Sequence, residues 1–308
     1  MSRYKTNNLL GIGLMLLAIL LFEVMDAVAK WLVSADISAI QVIAVRSWII
    51  VILILLILAI RGELSELVTR QPAQHAVRGL VGFFAPFTFF TSLKTLPLAD
   101  ATVVFFSGTF ILTAASAIFL KERVGMHRWS AVVIGFAGVV IAMNPQGGGP
   151  VGSYLLVLCA TSIYSMIFIY GKQLSKQDSV ILLVFSLQLG MGVAATVALP
   201  WVWVPLDPVA LGQLFLMAAI ALIAHYAFAA AFARADVSVL APLDYTALVW
   251  ATIIGYVIWR EIPSTEIWIG AVIIIGCGLY VIHRESLRHR TENVNPGPGR
   301  KQPGLGDR

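Results

Sequence analysis

The sequence predicts an all-α integral membrane protein: ten transmembrane helices built as two inverted five-helix repeats. Three observations carry that prediction. First, 59% of the 308 residues are apolar and only 12% are charged, whereas soluble globular proteins carry roughly a quarter charged residues. Second, residues 118–142 and 257–282 follow one pattern. Each closes an apolar segment on a glutamate (Glu122, Glu261), places a tryptophan seven residues later (Trp129, Trp268), and enters a new apolar segment with a glycine near its middle (Gly138, Gly278). Five spans separate corresponding points, and an odd number inserts the second copy upside down. Third, lysine and arginine gather on alternate loops. Inverted repeats give two conformations of similar energy, one open to each side of the membrane, as many secondary transporters require.

The segments follow in order. A spanning helix needs about 20 apolar residues. Ten stretches qualify: 9–33, 37–60, 75–93, 98–120, 129–143, 151–170, 179–204, 210–233, 237–259 and 266–282, of which the fifth and tenth are short. Arg3 and Lys5 precede the first. That run has no small-residue cleavage site, so it reads as a retained span and not a signal peptide. Residues 1–143 form the first repeat and 151–283 the second. The remainder, 284–308, is basic and then Pro/Gly-rich and is expected to be disordered. With the N-terminus in the cytoplasm, the positive residues fall on cytoplasmic segments: Arg61, Arg70 and Arg78; Lys121, Arg123 and Arg128; Lys172 and Lys176; Arg234; and the tail. The 144–152 loop and the 200–208 turn carry none. This positive-inside bias predicts a multi-pass protein of the inner (cytoplasmic) membrane with both termini inside. Trp201 and Trp203 fall where an interfacial aromatic belt would be. Ala131, Gly135 and Gly138 in span five, and Gly270, Gly276 and Gly278 in span ten, are expected to pack helices closely.

Several function classes drop out. The net charge of +5 is scattered over loop ends, not massed in a patch with interleaved aromatics, so no nucleic acid is expected as a partner. Cys159 and Cys277 lie inside apolar runs, which argues against a disulfide or a metal site. There is no GxxxxGK[ST] loop, so ATP is not the direct energy source, and no HExxH or GxSxG motif. No catalytic residue, metal or cofactor is therefore expected.

Ionisable groups inside a membrane are rare and are functional candidates by default. Glu23, Asp26 and Lys30 share one face of span one through spacings of three and four, and Lys30 should offset part of the repulsion between the acids. Arg46 in span two sits at roughly their depth by helix rise and is expected to pair with Asp26 or Glu23. A structural ion network locking spans one and two is the competing reading, since buried charges are paired whatever their role. In the other half, span eight carries His225 and Tyr226. Span nine carries Asp244 and Tyr245 just after Pro242, which removes a helical hydrogen bond. His225 and Asp244 have matching depths of roughly 11–14 Å and could form a proton relay; plain helix packing is the alternative. The phenylalanines of spans three and four read as packing. Tyr164, Tyr170, Tyr245 and Trp250 have polar handles suited to stacking on a planar substrate. Glu122 and Glu261 end their helices at opposite faces beside cations and read as interfacial gates or helix-end anchors.

The stretches 92–104, 122–138 and 233–263, together with the duplication and the span count, resemble the drug/metabolite transporter superfamily with EamA-type repeats. The resemblance covers all ten spans and leaves out the tail. It implies two inverted five-helix EamA-type repeats and secondary transport of small metabolites such as amino acids, nucleobase-like compounds or vitamins. Fold does not choose among these. The expected function is alternating-access transport of a small organic metabolite, with export of amino acids or related metabolites as first choice. The alternative is import of a vitamin, a nucleoside-like compound or an S-adenosylmethionine-like metabolite. A membrane-embedded enzyme or non-transporting helper would gather its charges in one half, whereas here they fall in both. The expected partners are the small-molecule substrate, the lipid bilayer and protons as coupling ion, with the chain working as a monomer or dimer.

Overall fold

The computed structural model describes residues 8–119, 125–144, 150–175, 177–235 and 237–294. Glu122, Lys121, Arg123, Lys176, the 145–149 loop and the chain beyond 294 lie outside the described residues. In chain order the helices are α1 (Asn8–Ser34), α2 (Ala39–Arg61), α3 (Pro72–Gly82), α4 (Phe84–Ser92), α5 (Leu98–Phe105), α6 (Gly108–Phe119), α7 (Met126–Met143), α8 (Val151–Leu174), α9 (Val180–Ala198), α10 (Pro208–Phe232), α11 (Val237–Leu240), α12 (Ala247–Trp259) and α13 (Thr265–Val294). Among the described residues nine helical segments are long and apolar enough to cross a membrane. The tenth is the third span, where α3 and α4 meet end to end at Phe83. Pro86 lacks the N–H that would bond to Gly82, so the helix breaks there. The ten-span reading therefore holds.

Polar residues start and stop the helices where lipid gives way to water. Ser38 accepts from the Ile40 N–H at 3.3 Å, Ser179 from Leu182 at 3.3 Å and Asp207 from Ala210 at 2.7 Å. Each satisfies an N–H that has no helical partner. Gly62 ends α2 with φ of 68°, a left-handed cap that favours glycine. α13 runs past 283 to Val294, so the first part of the expected disordered tail is helical. No breaker occurs in that stretch before Pro296.

The main helix pairings show a twofold pattern. Span one packs on span eight, and span six on span three; span three packs on seven, and eight on two. Span one packs on nine, and six on four. Spans two and seven, four and nine, and five and ten pair across the axis. Each pairing has the counterpart that two inverted repeats demand. One asymmetry stands out: span one also packs on α4 and α5.

Glycine permits two of these contacts. A Cβ on Gly79 would lie 2.7 Å from the Gly190 Cα and 2.9 Å from the Ser186 carbonyl oxygen. A Cβ on Gly270 would lie 2.7 Å from the Gly138 carbonyl oxygen. Close backbone approach of this kind supplies packing where lipid removes any hydrophobic drive between helices. Gly276 is a correction, because nothing lies within 4 Å of its position. Trp201 is 80% exposed, as an interfacial anchor should be.

Candidate functional site

Spans four and nine are both interrupted at the centre of the bundle. Span four breaks between Phe105 and Gly108, and span nine passes through a 3-10 stretch, Ala241–Thr246, that contains Pro242 and Asp244. The sequence offset that relates Glu122 to Glu261 also relates Phe105 to Asp244 and Phe106 to Tyr245. The last pair meets on the axis, rings edge to face at 5.1 Å. Hydroxyls from α8 bond to the backbone around the break in span four: Thr161 donates to Phe105 O, at the end of α5, at 3.0 Å, and Ser165 to Gly108 O at 3.3 Å. Irregular backbone at membrane depth is tolerated only where protein or water satisfies it. In span nine the broken backbone presents an acid.

Three carboxyls converge beside this break. Glu23 lies close enough to Asp26 and Asp244 to feel both charges, and it faces Thr102. The two sequence clusters, one per half, are therefore a single cluster between spans one, two, four and nine. Helical spacing shows where it opens. Ile19, Glu23, Lys30 and Val33 on the inner face of α1 are buried, yet Asp26 on that face is partly accessible. Leu240, Ala247, Leu248 and Ala251 are buried, yet Asp244 on the same face is exposed. Tyr164 shares the face of Val157, Ala160 and Thr161, feels the charge of Asp244, and is 52% exposed. Asp26, Asp244 and Tyr164 thus remain accessible where their neighbours on the same faces are buried. Tyr245 stands against Phe106 and Gly278.

Arg46 is 5% exposed. Its Nη1 donates to Met25 Sδ at 3.5 Å, and its Cζ stands 5.7 Å from the Phe90 ring centroid. Asp26 acts on it electrostatically, but no ion pair within 4.0 Å joins Arg46 to a carboxylate among the described residues. The expected direct pair is thus a correction. The Arg46 Nε, one Glu23 oxygen (Oε2) and the Trp250 Nε1 are buried without a hydrogen-bond partner.

Two further expectations give way. His225 does not bond to Asp244: its Nδ1 meets the carbonyl of Ala221 at 2.7 Å, its ring packs on Phe22 at 5.1 Å, and the charge it feels is that of Arg46. A carbonyl one turn back on its own helix was the nearer acceptor. Tyr226 is 72% exposed and continues the outer stripe of α10 through Phe215, Leu216 and Ile223, so it faces the surroundings and not the cluster.

Lys30 also departs from expectation. It turns away from Asp26 and forms an ion pair with Glu261, while its Nζ donates to Leu96 O at 2.8 Å. The other Glu261 oxygen accepts from the Leu98 N–H at 3.0 Å. Glu261 reaches inward because Arg260 takes a left-handed φ of 58° at the end of α12. Gly255 leaves the room, since a Cβ there would lie 3.2 Å from the carboxylate. Glu261 thus ties the end of α12 to α1 and to the start of α5 on the face that carries the α1–α2 turn. Further links between halves cross that face. Tyr154 donates to Asp100 at 3.1 Å, Gln41 bonds both ways with the Val204 backbone at 2.7 and 3.0 Å, and Thr95 meets Ser153 at 2.6 Å. At its rim the ammonium of Lys94 holds the Asp36 carboxyl below the usual carboxylate range, an exposed contact of little energetic weight. Asp100 and Tyr154 were missed, although an acid within an apolar run was signal enough for Asp100.

Comparison with known proteins agrees with this architecture. The EamA-like transporter family matches residues 9–144 and again 152–283. An S-adenosylmethionine uptake transporter of Rickettsia bellii is 28% identical over 281 residues, covering 91% of this chain and 96% of that protein. A riboflavin transporter of Vibrio cholerae is 26% identical, covering 94% and 98%. The pseudopaline exporter CntI of Pseudomonas aeruginosa is 26% identical, covering 86% and 93%. A solved crystal structure superposes with a TM-score of 0.60 at 22% identity over 93% of this chain and 100% of that one, a likeness of fold.

Proposed function

The chain belongs to the EamA-like transporter family, and we propose on that premise that it imports a cationic metabolite of the S-adenosylmethionine kind. It is a multi-pass membrane transporter of a small molecule and not an enzyme. The observation that carries the cargo class is the charge of the inner site: Glu23, Asp26 and Asp244 against the guanidinium of Arg46, with that of Arg78 acting on Tyr164. Three carboxyls in an apolar bundle favour a cation, since buried charge needs compensation. Tyr164, accessible beside Asp244, offers a ring with a polar tip to a flat base. Relatives named for S-adenosylmethionine uptake, at 28–29% identity across most of both chains, support this over the amino-acid export preferred from sequence. Export of an amino-bearing metabolite is the second reading, favoured by the relative named as an exporter.

The mechanism proposed is alternating access. Span one, packed on α4 and α5 with Lys30 locked to Glu261, closes one face. By the pseudo-symmetry, span six would close the other in the opposite state. Both termini are placed in the cytoplasm of an inner-membrane protein, and protons are the coupling ion, taken up at Asp244. The test is uptake of labelled S-adenosylmethionine into proteoliposomes of the purified chain under an imposed proton gradient, with riboflavin and a neutral amino acid in parallel. Accumulation of the sulfonium compound alone is expected. Movement of either comparator, with the sulfonium compound at the rate of empty liposomes, overturns the cargo assignment.

A further inference from the structure

We infer that Arg46 is the receptor for an α-carboxylate on the cargo, and that Glu23 with Asp26 receives the neighbouring ammonium, so the site reads an α-amino-acid head group. The inference rests on the transport reading above and deepens it. A guanidinium has five donors in a rigid fork and no acceptor. Arg46 spends one on a thioether, a weak acceptor, and its Nε has no partner although the side chain is buried. One turn of α1 away from Asp26, Glu23 is buried with its Oε2 equally unpartnered. Unpaired buried charge is among the costliest features a folded chain can carry. The simplest structural remedy, a direct Arg46–Glu23 or Arg46–Asp26 bridge, is not made among the described residues. A donor without an acceptor and an acceptor without a donor stand on adjacent helices, with Asp26 acting on both. A group carrying carboxylate and ammonium on one carbon offers the acceptor that Arg46 lacks and the donor that Glu23 lacks. The Phe90 ring lies 5.7 Å from the guanidinium carbon, and the planar fork of arginine suits a carboxylate bidentately.

The assignment predicts that Arg46 sets discrimination and not merely stability. Binding to the purified full-length protein in detergent would be measured with matched pairs that differ only in the carboxylate: S-adenosylmethionine and its decarboxylated form, methionine and 3-methylthiopropylamine, tryptophan and tryptamine. In the wild type, loss of the carboxylate should weaken binding about 10- to 100-fold in every pair that binds, as expected for a charge-assisted hydrogen bond. Arg46→Gln should erase that ratio, chiefly by weakening the carboxylate-bearing member of each pair. If Arg46→Gln fails to fold, Arg46→Lys serves: it should keep the preference but shrink it by about tenfold, because a point charge replaces the fork. A wild type that treats both members of each pair alike, or binds none of them, overturns the receptor. So does a variant that discriminates like the wild type. The cargo reading fails separately: if the pairs are discriminated but labelled S-adenosylmethionine does not enter proteoliposomes, the head-group site stands and the proposed cargo does not.

Discussion

Neutralising Glu261 should open the face that carries the α1–α2 turn. The Lys30 side chain is only 5% exposed and the Glu261 side chain 20%. In Glu261→Gln the ammonium stays buried, with the Leu96 carbonyl and the Trp259 ring, 5.0 Å away, as its main compensation. Breaking one side of a buried pair costs about 3–5 kcal/mol. The partial exposure of Glu261 lowers that, so about 2–3 kcal/mol is the working figure. Once the face opens, both charges are hydrated, so this energy acts on the closed state alone. At 1.4 kcal/mol per tenfold, the open population should rise about 30- to 150-fold. The reporter is Thr102→Cys, which is buried beside Glu23, in a background where Cys159 and Cys277 are alanine. A membrane-impermeant maleimide is applied from each side in sealed vesicles of both orientations. Labelling from the α1–α2 side should accelerate by the stated factor in Glu261→Gln. It should fall back toward the starting rate in Lys30→Met/Glu261→Gln, because removing both charges is far less costly than removing one. An unchanged rate in the single variant, or a double variant as open as the single, would refute the lock.

Asp244→Asn keeps shape and hydrogen bonding but cannot carry a proton. Net gradient-driven flux should drop at least about 100-fold, the low end for a lost proton-transfer group, while counterflow survives; full flux at wild-type pH dependence would make Asp244 a packing residue. Arg46 and Asp26 act on each other without a contact within 4.0 Å, so the cycle Arg46→Leu with Asp26→Leu should show coupling below about 2 kcal/mol by melting in detergent, and a value of about 3–5 would mean a direct pair. Gly190→Leu should destabilise by about 1–3 kcal/mol or more through overpacking, since its Cβ would fall on the Gly79 backbone; Gly276→Leu, with open space at that position, should melt near the wild type, and equal losses would deny the close approach. Cysteines placed at Glu63 and Pro205, both exposed at helix ends, should react from opposite sides of the membrane; labelling from one side would break the inverted arrangement.

The spans and their inversion were legible because lipid imposes a long-range rule on local sequence: about 20 apolar residues, with positive charges on alternate loops. The failures share the opposite cause. Lys30 and Glu261 are 231 residues apart, and nothing local in either segment names the other. Helix depth could place His225 level with Asp244, but depth says nothing about azimuth, and azimuth turned His225 to Ala221 and Tyr226 outward. The same blindness split one acid cluster in two, because the contact of span one with the broken span nine lies across the repeats.

Symmetry recovers part of what locality loses. A chain built twice must place the partner of each axial residue at a fixed offset, which is why Phe106 and Tyr245 meet ring to ring. The charged residues depart from that pattern: α8, the counterpart of α1, carries no acid from Val151 to Leu174. Under the proposed mechanism the duplicated fold would supply the rocking motion and the unduplicated acids of span one the binding chemistry. A symmetric pair of acid sites would hold cargo in each half and gain nothing from moving. One off-axis cluster beside the two broken spans is met by cargo from either side in turn. That is the arrangement in which a single binding event can be read by both conformations.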